Sequence, residues 1–229
     1  TFPITIKEMR DSLCELFEIE LNDSILINDD ISLPKQISED DDIYGSDIIK
    51  SICDLNATFA HINRDGVMTW IMLETEDIHA LATYPSADET FPVVYPGVKD
   101  YDGILFEVEK RYYVEDSIYW ESYPVLPADG VEIRDSGNVL MYQTNPYAIN
   151  PYIITDNQLT SDLSSSQYAT IANRLYEYLK DLTYIPFEGS FMTDPCTEVG
   201  DRINVHTQED TYFLTYVLSK QSSGMQVPF

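Results

Sequence analysis

The chain has 229 residues, 44% of them hydrophobic, and sets 40 acidic against 13 basic side chains for a formal charge of −27. So negative a chain makes a poor partner for nucleic acid, where affinity comes mostly from Lys and Arg neutralising phosphates, and an anionic membrane surface would repel it. It is long enough for one large or two modest domains, has no run of about 18 apolar residues to span a bilayer, and its cysteines, Cys14, Cys53 and Cys196, are too few and scattered for a disulfide framework or a zinc site.

The first element is announced by "TIKE", Thr5 to Glu8, a capping box in which the Thr5 hydroxyl accepts from the Glu8 amide and Glu8 reaches back. Ile6, Met9, Leu13, Leu16 and Phe17 then recur at helical spacing, with Lys7, Arg10, Asp11 and Glu15 on the other side. This predicts an amphipathic helix ending near Glu18 to Leu21. "SILINDDISLPKQI" follows as short β-like runs around Asn28-Asp29-Asp30, limited by Pro34 to an edge or a loop. After the charged loop "SEDDDIYG" a second helix starts at Ser46, the expected N-cap, with Asp47 near the positive end of the dipole. Ile48, Ile49, Ile52, Cys53 and Leu55 form its apolar stripe. "FAHINRDGVMTWIML" switches to a period of two around the turn Asn63-Arg64-Asp65-Gly66, a hairpin signal.

Residues 76–97 hold several prolines and no periodicity and read as a connector. "GILFEVEKRYYVEDSIYW" and "GVEIRDSGNVLMYQT" read as strands, with Asp135 to Asn138 as a hairpin tip, and "NPYAINPYIIT" as an edge broken by Pro146 and Pro151. A third helix over 165–182 opens with the capping box Ser164 to Gln167 and buries Tyr168, Ile171, Ala172, Leu175, Tyr178, Leu179 and Leu182, with Arg174, Glu177 and Lys180 outside. Three strands follow, the last two joined as a hairpin after the Gly200-Asp201 corner; Ile203 and Val205 alternate with polar neighbours, and Phe213, Tyr216 and Leu218 do so less strictly. The expected class is α+β: a small helix and hairpin domain over 1–75, a connector over 76–97, and a β-rich, barrel-like domain over 98–229 with helix 165–182 packed on it.

Chemistry-bearing patterns are sparse. An EF-hand loop wants oxygen ligands at its first, third and fifth positions, glycine at its sixth and glutamate at its twelfth. Counted from Asp40, Gly45 falls sixth, but Tyr44 falls fifth and Ser51 twelfth, so a solvated acidic loop is the reading. Asn28-Asp29-Asp30 reads as a turn. His61, His79 and His206 are isolated, with no H-E-x-x-H and no pair one helical turn apart. Cys196 and His206 could meet across the last strands, but nothing else there prepares a nucleophile, and no serine elbow or glycine-rich phosphate loop exists. Asn22-Asp23-Ser24 and Asn56-Ala57-Thr58 match glycosylation sequons by chance. No catalytic, cofactor-binding or metal-ligating residue is therefore assigned. Caps, turns and strand ends dominate, and with 17 tyrosines, whose rings pack while their hydroxyls stay wet, they suit a protein that binds or assembles.

At the C-terminal third, "DPCTEVGDRINVHTQEDTYFLTYVLSKQSSG", preceded by a capped helix and "YIPFEG", resembles the hub proteins of phage and prophage tails of Gram-positive bacteria. "ITIKEMRDSLCELFEIE" and "KSICDLNATFAHINRDGVMTWIML" are similar to the helix, helix and hairpin of that family's small domain, and "YPG" at Tyr95 to Gly97 before an aromatic strand also fits. The resemblance covers most of the chain through the order of features; no single motif is specific. It implies a non-enzymatic virion component at the tail tip or baseplate, trimeric in its full-length form, whose partners are identical subunits and other tail proteins, with neither sequence-specific nucleic-acid contact nor membrane. It also implies a second barrel before Thr1, and the start at Thr1, without an initiator methionine, points to a piece of a longer chain. Two alternatives stay open: a cell-wall hydrolase acting through paired carboxylates, which needs two acids opposed in a groove, and a carbohydrate- or protein-binding module using the aromatic run from Lys110 to Tyr123.

Overall fold

The computed structural model describes residues 3–22, 24–34, 43–63, 65–73, 104–108, 113–120, 125–191, 199–206 and 212–219. The fold is α+β, with three helices among the described residues and strands in small antiparallel and mixed sheets. The chain divides into two compact units that alternate along it: Thr1–Thr75 joins Leu126–Leu182, and Glu76–Val125 joins Thr183–Phe229. The expected boundaries are thereby redrawn. Residues 126–182, including the third helix, belong with the first 75 residues and not with the strands that follow. The cause is a shared core: Ile6, Cys14, Ile52, Leu55 and Trp70 bury against Val131, Ile133, Ile154, Ile171 and Leu175 in one apolar cluster.

In the first unit, β1 (Ile4–Thr5) pairs antiparallel with β3 (Ser32–Leu33) and leads into α1 (Ile6–Leu16). The capping box forms as expected, with the Glu8 amide donating to Thr5 Oγ1 at 3.1 Å and the Thr5 amide to Glu8 Oε2 at 2.7 Å. The helix ends sooner than its pattern suggests: Phe17 is the C-cap and Glu18 turns left-handed at φ 55°. Its facing also differs. Leu16 and Phe17 are exposed, while Arg10, expected outside, is 1% exposed. β2 (Glu20–Leu21) lies parallel to β5 (Val67–Ile71), which pairs with β4 (Phe59–Ile62) in the expected hairpin. Gly66 supplies the turn's positive φ, 83°.

α2 (Gly45–Asn56) has its N-cap two residues ahead of the expected one: Tyr44 takes that place and donates its amide to Asp47 Oδ2 at 2.9 Å, so Asp47, not Ser46, satisfies the helix start. α3 (Ser165–Leu179) has the expected capping box and stops short of Leu182. It packs on a sheet ordered β10 (Pro151–Ile154), β8 (Gly130–Arg134), β9 (Leu140–Gln143). β10 runs parallel to β8 as an edge strand, and β9 returns antiparallel through the tip at Asp135 to Asn138, where Asn138 sits at φ 61°.

Polar ties join the two segments of this unit. Asn157 Nδ2 donates to the Ser51 carbonyl at 2.8 Å, Tyr152 Oη to the Asp54 carbonyl at 3.1 Å, and Arg174 grips Asp30 with two bonds of 2.5 and 3.0 Å. Tyr178 Oη donates to the Leu73 carbonyl.

In the second unit, β7 (Tyr113–Trp120) pairs antiparallel with β11 (Phe187–Phe191). β12 (Arg202–His206) lies between β6 (Ile104–Val108), to which it is parallel, and β13 (Tyr212–Tyr216), its antiparallel hairpin partner. The Gly-Asp corner closes this hairpin: the Gly200 amide donates to the Val217 carbonyl at 2.7 Å and the Val217 amide to that of Asp201 at 2.9 Å. Ile203, Val205 and Tyr216 are buried as their alternation suggests, while Leu218 is exposed. Among the described residues these strands form one three-stranded and one two-stranded sheet, and no closed barrel.

Candidate interaction surface

The titratable candidates of the sequence do not converge. His61 lies in β4 opposite Thr69. His206 is in β12 opposite Tyr212, and its side chain lies outside the described residues. His79, Cys196 and most of the acidic run from Ser38 lie outside them too, as do the side chains of the aromatic run from Lys110 to Tyr123. Among the described residues no three His, Cys, Asp or Glu side chains are placed to hold a metal ion, and no helix is long and apolar enough to cross a membrane.

Asn28-Asp29-Asp30 is a turn, as expected, but one buried at Asn28 and Asp29, with Asp30 exposed. The Asn28 amide donates to Asn56 Oδ1 at 2.7 Å, its Nδ2 to the Leu55 carbonyl at 2.6 Å, and Asp29 Oδ2 accepts from the Leu26 amide at 2.9 Å. Asn56, the sequon residue, is fully buried and caps this turn, so its role in the fold is structural. The turn also receives Arg10, whose Nη2 lies 3.3 Å from Asp29 Oδ2 and donates to the Ser24 carbonyl at 2.9 Å, with the guanidinium 5.5 Å from the Trp70 ring centroid. Burial pushes the Cys53 thiol up to about 12, Asp54 adding to it, and raises Cys14 and the Asp54 carboxyl above their ordinary values. These thiols are packed and protonated, the opposite of what a nucleophile requires.

The outer side of the β10-β8-β9 sheet is different. Val131 and Ile133 of β8 point into the core beneath α3, so Glu132 and Arg134 point outward, where Arg134 Nη2 pairs with Glu132 Oε2 at 2.7 Å. Ile153 and Leu140, their register partners on either side, and Met141 beside Leu140 are exposed.

The segment from Asn145 to Asn150, between β9 and β10, leaves Tyr147 87% and Ile149 93% exposed, and Leu126 is exposed too. It is not held by those apolar side chains but by polar groups behind it. Both Asp129 oxygens accept, one from the Ile149 amide at 2.7 Å and one from the Asn150 amide at 2.9 Å. Asn145 Nδ2 donates to the Asp129 carbonyl at 2.9 Å, Asn145 Oδ1 accepts from the Tyr147 amide at 3.0 Å, and Asn150 Nδ2 reaches the Leu126 carbonyl at 3.2 Å. Gly130 is what lets the segment close: a β-carbon there would stand 2.8 Å from Ala148 Cβ and 3.3 Å from Asn145 Cβ.

A loop fixed by these five hydrogen bonds and presenting two large apolar side chains to water can meet another protein with little ordering cost, since its conformation is set before contact. Scattered exposed apolar residues are ordinary; what marks Tyr147 and Ile149 is that both stand on one braced loop. Sequence reading took "NPYAINPYIIT" for an irregular edge. The signal was Asp129 one residue before Gly130, with Asn145 and Asn150 flanking the loop, but their pairing is long-range and only the fold reveals it. No family model matches the chain, and no match is found among curated proteins.

Proposed function

We propose that the chain is a structural component of a phage or prophage tail tip or baseplate hub, working by assembly and not by catalysis, with identical subunits and other tail proteins as its partners and the virion as its place of action. The observation that supports this is the braced loop with Tyr147 and Ile149 exposed, together with the exposed Ile153, Leu140 and Met141 of the β10-β8-β9 sheet. Such a surface suits lasting contact between proteins. The ordered run of capped helix, Gly-Asp corner and β-hairpin, shared in outline with tail hubs, supports the specific setting. In that setting the full-length protein forms a trimeric ring between the tail tube and the host-facing spike or fibre.

Sedimentation equilibrium of the full-length protein tests the reading. A trimer is expected, together with detection of the protein in isolated tail particles. A full-length chain that stays monomeric at high concentration and is absent from such particles would overturn it.

A further inference from the structure

We infer that residues 1–75 recognise residues 126–182 as one protein recognises another, through a surface that holds after the chain between them is cut and that accepts the same segment from a second copy. This pairing does not depend on the assembly reading.

The two segments are far apart in sequence and meet in one core. Ile6, Ile52, Leu55 and Trp70 on one side, and Val131, Ile154, Ile171 and Leu175 on the other, are each no more than 5% exposed. The stretch that joins them along the chain, Glu76–Val125, belongs to the other unit. Within the first unit the two segments are therefore held by contact and not by a shared turn. An apolar core with polar ties is also the composition of an interface between proteins.

The polar ties share a direction. Asn157 Nδ2 donates to the Ser51 carbonyl, the Gln158 amide to Ser51 Oγ at 3.2 Å and Tyr152 Oη to the Asp54 carbonyl. Gln167 Nε2 donates to the Ser32 carbonyl at 2.5 Å, Tyr178 Oη to the Leu73 carbonyl, and Arg174 to the Ile27 carbonyl at 3.3 Å and to both Asp30 carboxylate oxygens. In every one of these bonds the donor lies on 126–182 and the acceptor on 1–75. Two copies of 1–75 meeting through this face would set carbonyls and a carboxylate against one another. Two copies of 126–182 would set donors against donors. Groups left unpaired in that way disfavour both like pairings, so the surface selects the other segment.

The contacts are the same whichever copy supplies the segment. What differs is effective concentration: an intact chain offers its own segment at on the order of mM, and a cut removes that advantage without removing a contact. Copies that pair in this way do so head to tail, 1–75 of one with 126–182 of the next.

The test uses the whole chain with a protease site placed between Thr75 and Glu76, at the boundary of the two units, and cut after folding. Gel filtration at micromolar concentration should keep the two pieces together. Cut protein that is isotope-labelled, mixed with unlabelled cut protein in urea below the unfolding midpoint, should give hybrid pairs by native mass spectrometry. Asn157→Asp turns the donor facing the Ser51 carbonyl into an acceptor while keeping the oxygen that accepts from the Leu159 amide, and should raise the concentration at which the pieces part at least about tenfold. Gln167→Glu keeps the cap on Ser164 and loses the donor to Ser32; a rise of about threefold is expected, which covers the case of a misfolded Asn157 variant. Arg134→Gln, whose partner Glu132 lies in the same segment, should change nothing. Pieces that part on cutting, pieces that stay together but form no hybrids, or a pairing indifferent to both donor variants would each overturn the inference. So would an Arg134 variant that loosens the pieces as much as Asn157→Asp.

Discussion

Replacing Arg10 with methionine should be among the most damaging single changes in the first unit. The methionine keeps part of the apolar stem but takes the guanidinium from Asp29, from the Ser24 carbonyl and from the face of Trp70. Asp29 is then left buried without its counter-charge, holding only the Leu26 amide. Breaking one half of a buried pair costs about 3–5 kcal/mol. The cation–π contact adds up to about 2 kcal/mol when desolvated, but it overlaps the same term and is not summed with it. With urea slopes of about 1–3 kcal/mol per molar, the midpoint should fall by at least about 1 M.

Urea unfolding of the whole chain, followed by tryptophan fluorescence, reports this directly. The sequence has two tryptophans, so a Trp120→Phe background leaves Trp70, beneath Arg10, as the reporter. The companion variant Arg10→Met with Asp29→Asn removes the stranded charge, and asparagine can still accept from the Leu26 amide. It should recover most of the loss. A single-variant cost below about 1 kcal/mol, or a double variant as unstable as the single one, would refute the argument that the ion pair is what holds Arg10 inside.

Asp54, whose carboxyl is raised by burial, should behave oppositely to a paired acid. Its folded value lies above its unfolded one, so its contribution to stability is present in acid and is lost as pH rises through the folded value; Asp54→Asn should therefore stabilise the chain at pH 7 and change little below the unfolded value, as thermal melts across pH would show. Gly130→Ala should push the Asn145 to Asn150 segment outward at a cost of about 1–3 kcal/mol, and Ala148→Gly in the same chain should restore most of it, because the tightest obstruction is one β-carbon against another; circular dichroism melts give the stability. In a Cys14→Ser, Cys196→Ser background, native Cys53 should resist thiol reagents at pH 8 far longer than in urea, since its thiolate is almost absent near a value of about 12; labelling at equal rates in both would show the site to be open.

Local features were legible because local chemistry sets them. The capping boxes at Thr5 and Ser164, the turn at Gly66, the tip at Asn138 and the Gly200-Asp201 corner need only neighbours a few residues apart. Arg10 was misread for the same reason: spacing puts a cation on the polar side of α1, and only the long-range arrival of Asp29 and Trp70 makes burial tolerable. The helix ends at Leu16, where Glu18 turns left-handed, although apolar spacing runs on through Phe17. Domain membership was hidden by a different route. α3 carries an apolar face that would pack on any sheet, and nothing in that face says that the sheet is β10-β8-β9 or that Asp30, far back in the chain, will take Arg174. The braced loop depends on Asp129 finding two amides some twenty residues on, which periodicity does not register.

The alternation of the two units along the chain sets an order of events during synthesis. The first 75 residues leave the ribosome without the partners that complete their core, since Ile171 and Leu175 emerge only after the whole of Glu76–Val125 has been made. Until then Ile52, Leu55 and Trp70 lack the Ile171 and Leu175 of α3 that share their core, and a transcript truncated before Ser165 would yield a chain with that apolar interior open to solvent. The return paths at either end of the inserted stretch are drawn together, Ala128 to Leu179 by a 3.3 Å amide–carbonyl bond and Val125 to Tyr184 by one of 2.7 Å. Cuts made by a protease inside 126–182 would accordingly strike the first unit at its centre, while the second would keep both of its halves.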